Sequence, residues 1–309
     1  RPAPRPGSAA VAAWQASALA RSPLALRLGR RGERLAGVAD LELPADRPRP
    51  PVASRRGGQV AEYLTPERVA RLGALAREAA ASPFRVLLAA VEALLARLSG
   101  QTSFAVGTPV ANRQPATEGI VGFFVNTVVL PADLSGDPSF ETLLGRAREA
   151  ALEAFAEQDL PFERLVERLR PERDLASSPI FQAMLSLQNA PPPRLSLPGL
   201  ELSPLVRETG TSKLDLTLNL APDGGALTGR WVFAGDLFDR TTVGRWARSF
   251  RVLLAAALDR PETPLSALPV MAPAERHQVL AEWRGEAAPV ASGGLLLHRR
   301  IAEVAERVP

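Results

Sequence analysis

Val121-Gly-Phe-Phe-Val-Asn-Thr-Val-Val-Leu130 is the stretch on which the fold turns. Its β-branched and aromatic residues, with no charge among them, predict a strand over 121–130. Thr102–Val110 has the same character and predicts a second strand just upstream. Before it, Phe84, Leu87, Leu88, Val91, Leu94, Leu95 and Leu98 recur at steps of three and four, the spacing of one apolar helix stripe. Thr65-Pro66 and Ser82-Pro83 read as helix starts: the hydroxyl can cap free N–H groups, and proline has no N–H to leave unpaired in the first turn. Gly100 supplies a stop.

Working outward, Gly58–Leu64 reads as a further short strand. Asp137-Pro138 predicts a capped helix with Phe140, Leu143, Leu144, Ala147, Ala151, Ala154 and Phe155 on one face, and Pro161–Leu169 a shorter one. Pro179–Gln188 alternates, with Phe181, Ala183, Leu185 and Leu187 opposite Gln182, Ser186 and Gln188. Lys213–Leu220 also alternates. Its Leu214, Leu216, Leu218 and Leu220 oppose Lys213, Asp215, Thr217 and Asn219, which predicts a strand with one wet or cleft-lining face. Asp223-Gly224-Gly225 is a turn, and Leu227–Phe233 returns as the second arm of a hairpin. Asp239 opens a helix with Val243, Trp246, Phe250, Leu253 and Leu254 inward. Interspersed helices and strands with a hairpin predict an α/β fold, a mixed sheet with helices packed on it. After Pro261 the pattern loosens: Pro273–Trp283 reads as a short helix, Arg284–Gly294 as a linker, and Leu296–Val308 as the beginning of another element.

The chain has 309 residues and is 46% hydrophobic, enough for a sizeable core. Its sequence pI of about 10.6 invites a nucleic-acid reading. Position argues against one. Residues 1–58 hold eleven arginines and four acids, and the rest of the chain is slightly acidic. The cations are not gathered in a stripe on the folded body, as phosphate binding requires. The absence of cysteine excludes disulfides, thiolate metal sites and a cysteine nucleophile, and fits a reducing cytoplasm. No apolar run approaches the ~20 residues of a membrane span. Arg5 and the alanine-rich Ser8–Trp14 only loosely mimic a signal peptide, and the chain is expected to begin inside a longer protein.

Catalytic patterns are scarce. The two histidines, His277 and His298, both lie in the tail, neither with a further ligand at metal spacing. There is no Gly-x-Ser-x-Gly elbow and no phosphate loop. Glu157 and Asp159 offer a carboxylate pair, though acids at a helix end are more often solvated or capping.

Gly122-Phe-Phe-Val-Asn-Thr127 resembles a signature of the condensation domains of nonribosomal peptide synthetases. Six other segments follow that family's order. They are Leu41-Glu-Leu-Pro-Ala-Asp-Arg-Pro-Arg-Pro50, Gly107-Thr-Pro-Val-Ala-Asn-Arg113, Gln158-Asp-Leu-Pro-Phe-Glu163, Arg173-Asp174 through Ser178-Pro-Ile-Phe-Gln182, Lys213-Leu-Asp-Leu216 and Asp236-Leu-Phe-Asp239. Ala274–Leu280 with Trp283 resembles the linker before an adenylation domain, and Leu297-His298 that domain's opening. The resemblance implies a chloramphenicol-acetyltransferase-like fold of two lobes, of which this chain is the C-terminal one, so the domain is incomplete. It divides the chain into a poorly matched segment 1–40, a C-terminal lobe 41–265, a linker 266–295 and the start of an adenylation domain 296–309.

The resemblance further implies amide formation between aminoacyl or peptidyl groups on the phosphopantetheine arms of peptidyl carrier proteins, with no cofactor bound directly. The family's His-His-x-x-x-Asp-Gly motif lies upstream of Ala13-Trp14-Gln15 and is absent here, so no catalytic residue and no condensation by this chain alone are expected. The implied partners are the carrier proteins, the N-terminal lobe and the adjacent adenylation domain, with no nucleic acid and no membrane, in the cytoplasm. The other reading is a non-catalytic carrier-protein docking or scaffold module; an epimerising relative fits the quoted segments less well. Glu157 departs from the family's usual His, Leu214 from its usual Phe, and arginines fill the region between Gln15 and Leu35.

Candidate cleft or channel residues are Asn126, Phe124, Arg113, Lys213 and Asp215. Asn126 either ties loops together or lines the cleft. Arg113 suits an ion pair or lobe interface better than a substrate contact. Lys213 and Asp215 share a strand face and would form a surface ion pair. Phe123 and Phe124 would belong to the core or the cleft floor.

Overall fold

The computed structural model describes residues 22–113, 120–169, 174–188, 208–284 and 297–307, with a few single positions besides. Trp14-Gln15, Arg173 and the linker positions 285–296 lie outside the described residues. The chain divides into two compact units, Arg1–Met271 and Ala272–Pro309.

The first unit is built on a six-stranded mixed sheet in the order β1-β6-β5-β4-β2-β3. The strands are β1 (Gly57–Leu64), β2 (Ser103–Val110), β3 (Asn126–Asp133), β4 (Ala183–Leu187), β5 (Leu216–Asp223) and β6 (Ala226–Ala234). β4 runs parallel to both neighbours, and the other pairs are antiparallel. The helices are α1 (Ser22–Leu35), α2 (Pro66–Glu78), α3 (Pro83–Ser99), α4 (Phe140–Ala156), α5 (Phe162–Leu169) and α6 (Arg240–Asp259).

Alternation along the strands sorts the two faces of the sheet. Phe104, Val106, Val128, Leu130, Leu216, Leu218 and Leu220 join the main core with residues of α2, α3, α4 and α6. Their neighbours Ala105 and Val129 point the other way, into a smaller core with Leu35, Leu165, Ile180 and Phe181. α1 and α5 therefore cover the second face at its β2–β3 end. Trp246 and Phe250 are buried as expected, in edge-on contact with Phe238 and Trp231 respectively.

Several boundaries move. β3 begins at Asn126, not at Val121, because its partner β2 ends at Val110 and residues 121–125 have no strand to pair with. Val121 and Phe123 are left 95% and 88% exposed, so Phe123 is neither core nor floor. β5 begins at Leu216, and Leu214 packs into the smaller core instead of following Leu216. Phe181 likewise precedes β4, after a bend at Ile180 with φ of +72°, and joins the smaller core. Gln182, on the polar side of the alternation, is nonetheless 2% exposed.

The caps also redistribute. Thr65 accepts from the Arg68 amide, but Ser82 makes no side-chain cap. Ser139, not Asp137, caps α4; Asp137 accepts from the backbone and hydroxyl of Ser266 at 2.9 and 2.6 Å. At α6 the Asp239 side chain turns to Arg47, and Asp46 accepts from the Asp239 amide and the Thr242 hydroxyl at 2.7 and 2.9 Å. Gly100 ends α3 left-handed at φ +75°, and Gly224 and Gly225 both take positive φ in the two-residue hairpin turn.

The second unit holds α7 (Pro273–His277), a π-turn over Gln278–Glu282, and α8 (Leu297–Arg307). The expected Pro273–Trp283 helix is thus α-helical only in its first part. His277 sits in α7 and His298 in α8. No single helix among the described residues is long and apolar enough to cross a membrane.

Candidate functional site

A concavity of about 1460 Å³ lies in the first unit. The end of β2 and the residues after it, Thr108–Arg113, form one wall. The end of α4 and its following loop, Phe155–Asp159, form another. α1 adds Arg27, Arg30, Arg31 and Arg34, and the end of β4 adds Ser186 and Gln188. The lining is thus mixed: hydrogen-bonding groups, guanidinium cations and a few apolar side chains. That suits an extended polar ligand better than a compact apolar one.

Arg113 makes no ion pair among the described residues. Its guanidinium donates to the carbonyls of Thr117, Ile120 and Gly122 at 3.0, 2.9 and 3.0 Å. It also lies 4.6 Å from the centre of the Phe124 ring, within cation–π range. Arg113 therefore staples Thr117, Ile120 and Gly122 together at the rim of the concavity. Phe124 is half-buried as the platform for that staple.

Asn126 ties loops together. Its Nδ2 donates to the carbonyls of Gln158 and Leu160 at 2.8 and 2.7 Å, and its Oδ1 accepts from the Phe162 amide at 3.1 Å. One carboxamide thus fixes the loop after α4 and satisfies the first amide of α5. Substituting Asn126 by Ala should cost about 2 kcal/mol, since the partners of three hydrogen bonds are left to compete for water. Chemical denaturation of the pair checks it; a variant as stable as the parent contradicts the role.

Lys213 and Asp215 do not pair with each other: both precede β5, and Asp215 is taken by Arg49. Asp215 is buried and takes both guanidinium nitrogens of Arg49, whose Nη1 to Oδ1 distance is 3.0 Å. The bond to Asp215 raises the Arg49 pKa, partly offset by burial. Arg49 lies in the Asp-Arg-Pro-Arg-Pro segment, so that stretch is anchored to the start of β5. Lys213 and Asp215 line a second depression of about 450 Å³ with Arg49 and Asp174, not the large concavity. Of the five sequence candidates, Arg113 lines the first concavity, Phe124 and Asn126 support its walls without lining it, and Lys213 and Asp215 line the second.

Sequence reasoning missed α1. Arg27 clasps Asp159, Arg34 pairs with Glu153, and the buried Arg31 donates to the carbonyl of Val129 on edge strand β3. Burial lowers the Arg31 pKa, with Glu157 and Glu153 acting against it. The one available signal was arginine recurring at 27, 31 and 34 beside acids at 153, 157 and 159, far apart in sequence. Gln182 was also missed: its side chain accepts from the Leu41 amide at 2.7 Å and donates to the Ser178 carbonyl at 3.1 Å. With Asp159 held by Arg27, the Glu157–Asp159 pair is not a free acid–base couple. No group of three or more potential metal ligands gathers among the described residues.

An open mixed sheet with helices packed on it is the architecture expected of a chloramphenicol-acetyltransferase-like lobe. Residues 32–280 match the family model described as Condensation domain, and the chain belongs to that family. It is 41% identical over 302 residues to a linear gramicidin synthase of Brevibacillus parabrevis, covering 96% of this chain and 4% of that protein. It is 44% identical over 267 residues to the phosphinothricin tripeptide synthetase PhsB of Streptomyces viridochromogenes, covering 84% of this chain and 22% of that protein. Among solved structures it is similar to the X-domain from teicoplanin biosynthesis, with a TM-score of 0.79 and 29% identity over 85% of this chain and 62% of that one. The chain therefore spans less than a quarter of the length of these two curated relatives.

Proposed function

We propose that this chain forms the C-terminal wall of a condensation site in a nonribosomal peptide synthetase. There an amide bond joins aminoacyl or peptidyl groups carried on phosphopantetheine arms. The observation that carries this reading is the polar concavity between Thr108–Arg113 and Phe155–Asp159, two segments that also bear family motifs. Its volume and hydrogen-bonding lining have room and partners for an arm with amide groups. In the reaction the acceptor amine attacks the donor thioester carbon, the C–S bond breaks, the thiol leaves protonated and the amine loses one proton. The oxygen gathers negative charge at the transition state, and the amine must be held unprotonated.

No histidine is among the residues lining the concavity; its arginines stay protonated, and of its two carboxylates, Glu157 and Asp159, the second is held by Arg27. The imidazole is supplied by a companion N-terminal lobe. Of the expected linker 266–295, residues through Met271 pack with the first unit; the rest then serves as linker and 296–309 as the opening of an adenylation domain, with Ile301 and Val304 of α8 exposed.

The test is single-turnover condensation with donor- and acceptor-loaded carrier proteins. The chain alone should give no dipeptide, and the module carrying both lobes should. Dipeptide from the chain alone would overturn the assignment. The exposed Val121, Phe123 and Val125 give a second expectation. Expressed alone, the chain should self-associate through this apolar strip, and serine at 121 and 123 should shift it toward monomer in sizing chromatography. A parent chain that elutes as a monomer contradicts this.

A further inference from the structure

The loop Glu157–Pro161 is gripped from two sides. Asn126 holds its carbonyls from β3. From α1, Arg27 places Nη1 3.1 Å from Oδ2 and Nη2 2.7 Å from Oδ1 of Asp159, and Nη2 also donates to the Ala156 carbonyl at 3.2 Å. A two-pronged guanidinium–carboxylate contact fixes orientation as well as distance, which a single point charge does not. The ion pair is only partly shielded, with side chains 27% and 39% exposed, so its worth to global stability is small. Its consequence is local: Glu157, Gln158 and Asp159 face the concavity.

We propose that Arg27 is a positioning residue for the substrate wall, holding the Glu157–Asp159 loop through Asp159. α1 is then a working part of the site, not a leader to it. The inference rests on the reading of the concavity as a condensation cleft.

The experiment has two arms. In the first, hydrogen–deuterium exchange is followed across the whole 309-residue chain for the parent, Arg27→Ala, Arg27→Lys and the charge-swapped pair Arg27→Asp with Asp159→Arg. Arg27→Ala should speed exchange in 157–160 by about tenfold while β3 and α4 stay unchanged. Arg27→Lys should recover part of the protection and the swapped pair most of it. Unchanged exchange in the loop, or faster exchange throughout the sheet, would overturn the clamp.

In the second arm, the same variants are placed in the complete synthetase module. Arg27→Ala should raise KM for a carrier-bound substrate several-fold with kcat within about twofold, a split that general loss of folded enzyme would not produce. A loosened loop with unchanged KM would show that this wall does not touch substrate, and would overturn the positioning role. A parent module that makes no amide at all would instead sink the reading of the cleft, leaving the first arm to judge the clamp.

Discussion

Replacing Glu62 by Ala should cost about 3–5 kcal/mol and lower the midpoint of thermal unfolding by roughly 10 °C, a drop that circular dichroism reads directly. Glu62 lies on β1 with its side chain fully buried. Its Oε2 accepts the indole N–H of Trp231 at 2.7 Å, and its Oε1 accepts from Arg251 at 2.9 Å and the Tyr63 amide at 3.0 Å. Trp231 is 1% exposed and packs edge-on against Phe250, so its N–H has no water to turn to. Truncation removes the acceptor, opens a cavity and leaves the guanidinium beside it without its anion. Arg251→Met should be nearly as harmful, since it strands a buried carboxylate. Replacing both partners with apolar residues should cost less than either single change. Loss of under about 1 kcal/mol on removing Glu62 would mean the network is incidental.

Glu92 should give the opposite sign. It lies on α3, 1% exposed, and neither carboxylate oxygen has a hydrogen-bond partner among the described residues. Burial pushes its pKa well above the ordinary carboxylate value, so the neutral acid is the form the fold accepts. Replacing Glu92 by Leu should stabilise the chain by about 1–3 kcal/mol by removing an unsatisfied polar group from the core. The pH dependence follows from the direction of the shift. A folded pKa above the unfolded one gives stability that is complete below the unfolded value, about 4.3, and is lost as pH rises toward the folded one. Glu92→Leu and Glu92→Gln should both abolish that loss. The surface carboxylates Asp46, Asp137, Asp174 and Asp236 are shifted down by hydrogen bonds, so what they add is present above the ordinary value and lost as pH falls. The two effects therefore occupy different pH windows. Urea midpoints measured across pH would tell them apart. A variant at 92 that unfolds earlier than the parent, with a parallel pH profile, would refute the assignment.

The amphipathic patterns were legible because they are local. The three- and four-residue spacing in α3, the alternation in β5 and the two-glycine hairpin each follow from backbone geometry within a few residues. The family motifs likewise sit in contiguous stretches and could be read directly. Where a boundary failed, a distant partner had decided it. Residues 121–125 have every local property of a strand and no strand opposite them; Leu214 and Phe181 have strand alternation but pack into the other core. The same holds for charges. Nothing near Asp215 in sequence announces Arg49, 166 residues away, and nothing near Asp159 announces Arg27, 132 residues away.

By itself, then, the amino-acid order determined the α/β class, the sequence of most elements and the kinship of the chain. Periodicity and contiguous motifs need no knowledge of what lies across the sheet. Only the tertiary structure decided which side chains meet around the concavity, which carboxylates are paired and that Glu92 is buried with no hydrogen-bond partner among the described residues. Hydrogen bonds and desolvation act over a few ångströms in space, and separation along the chain says nothing about those distances.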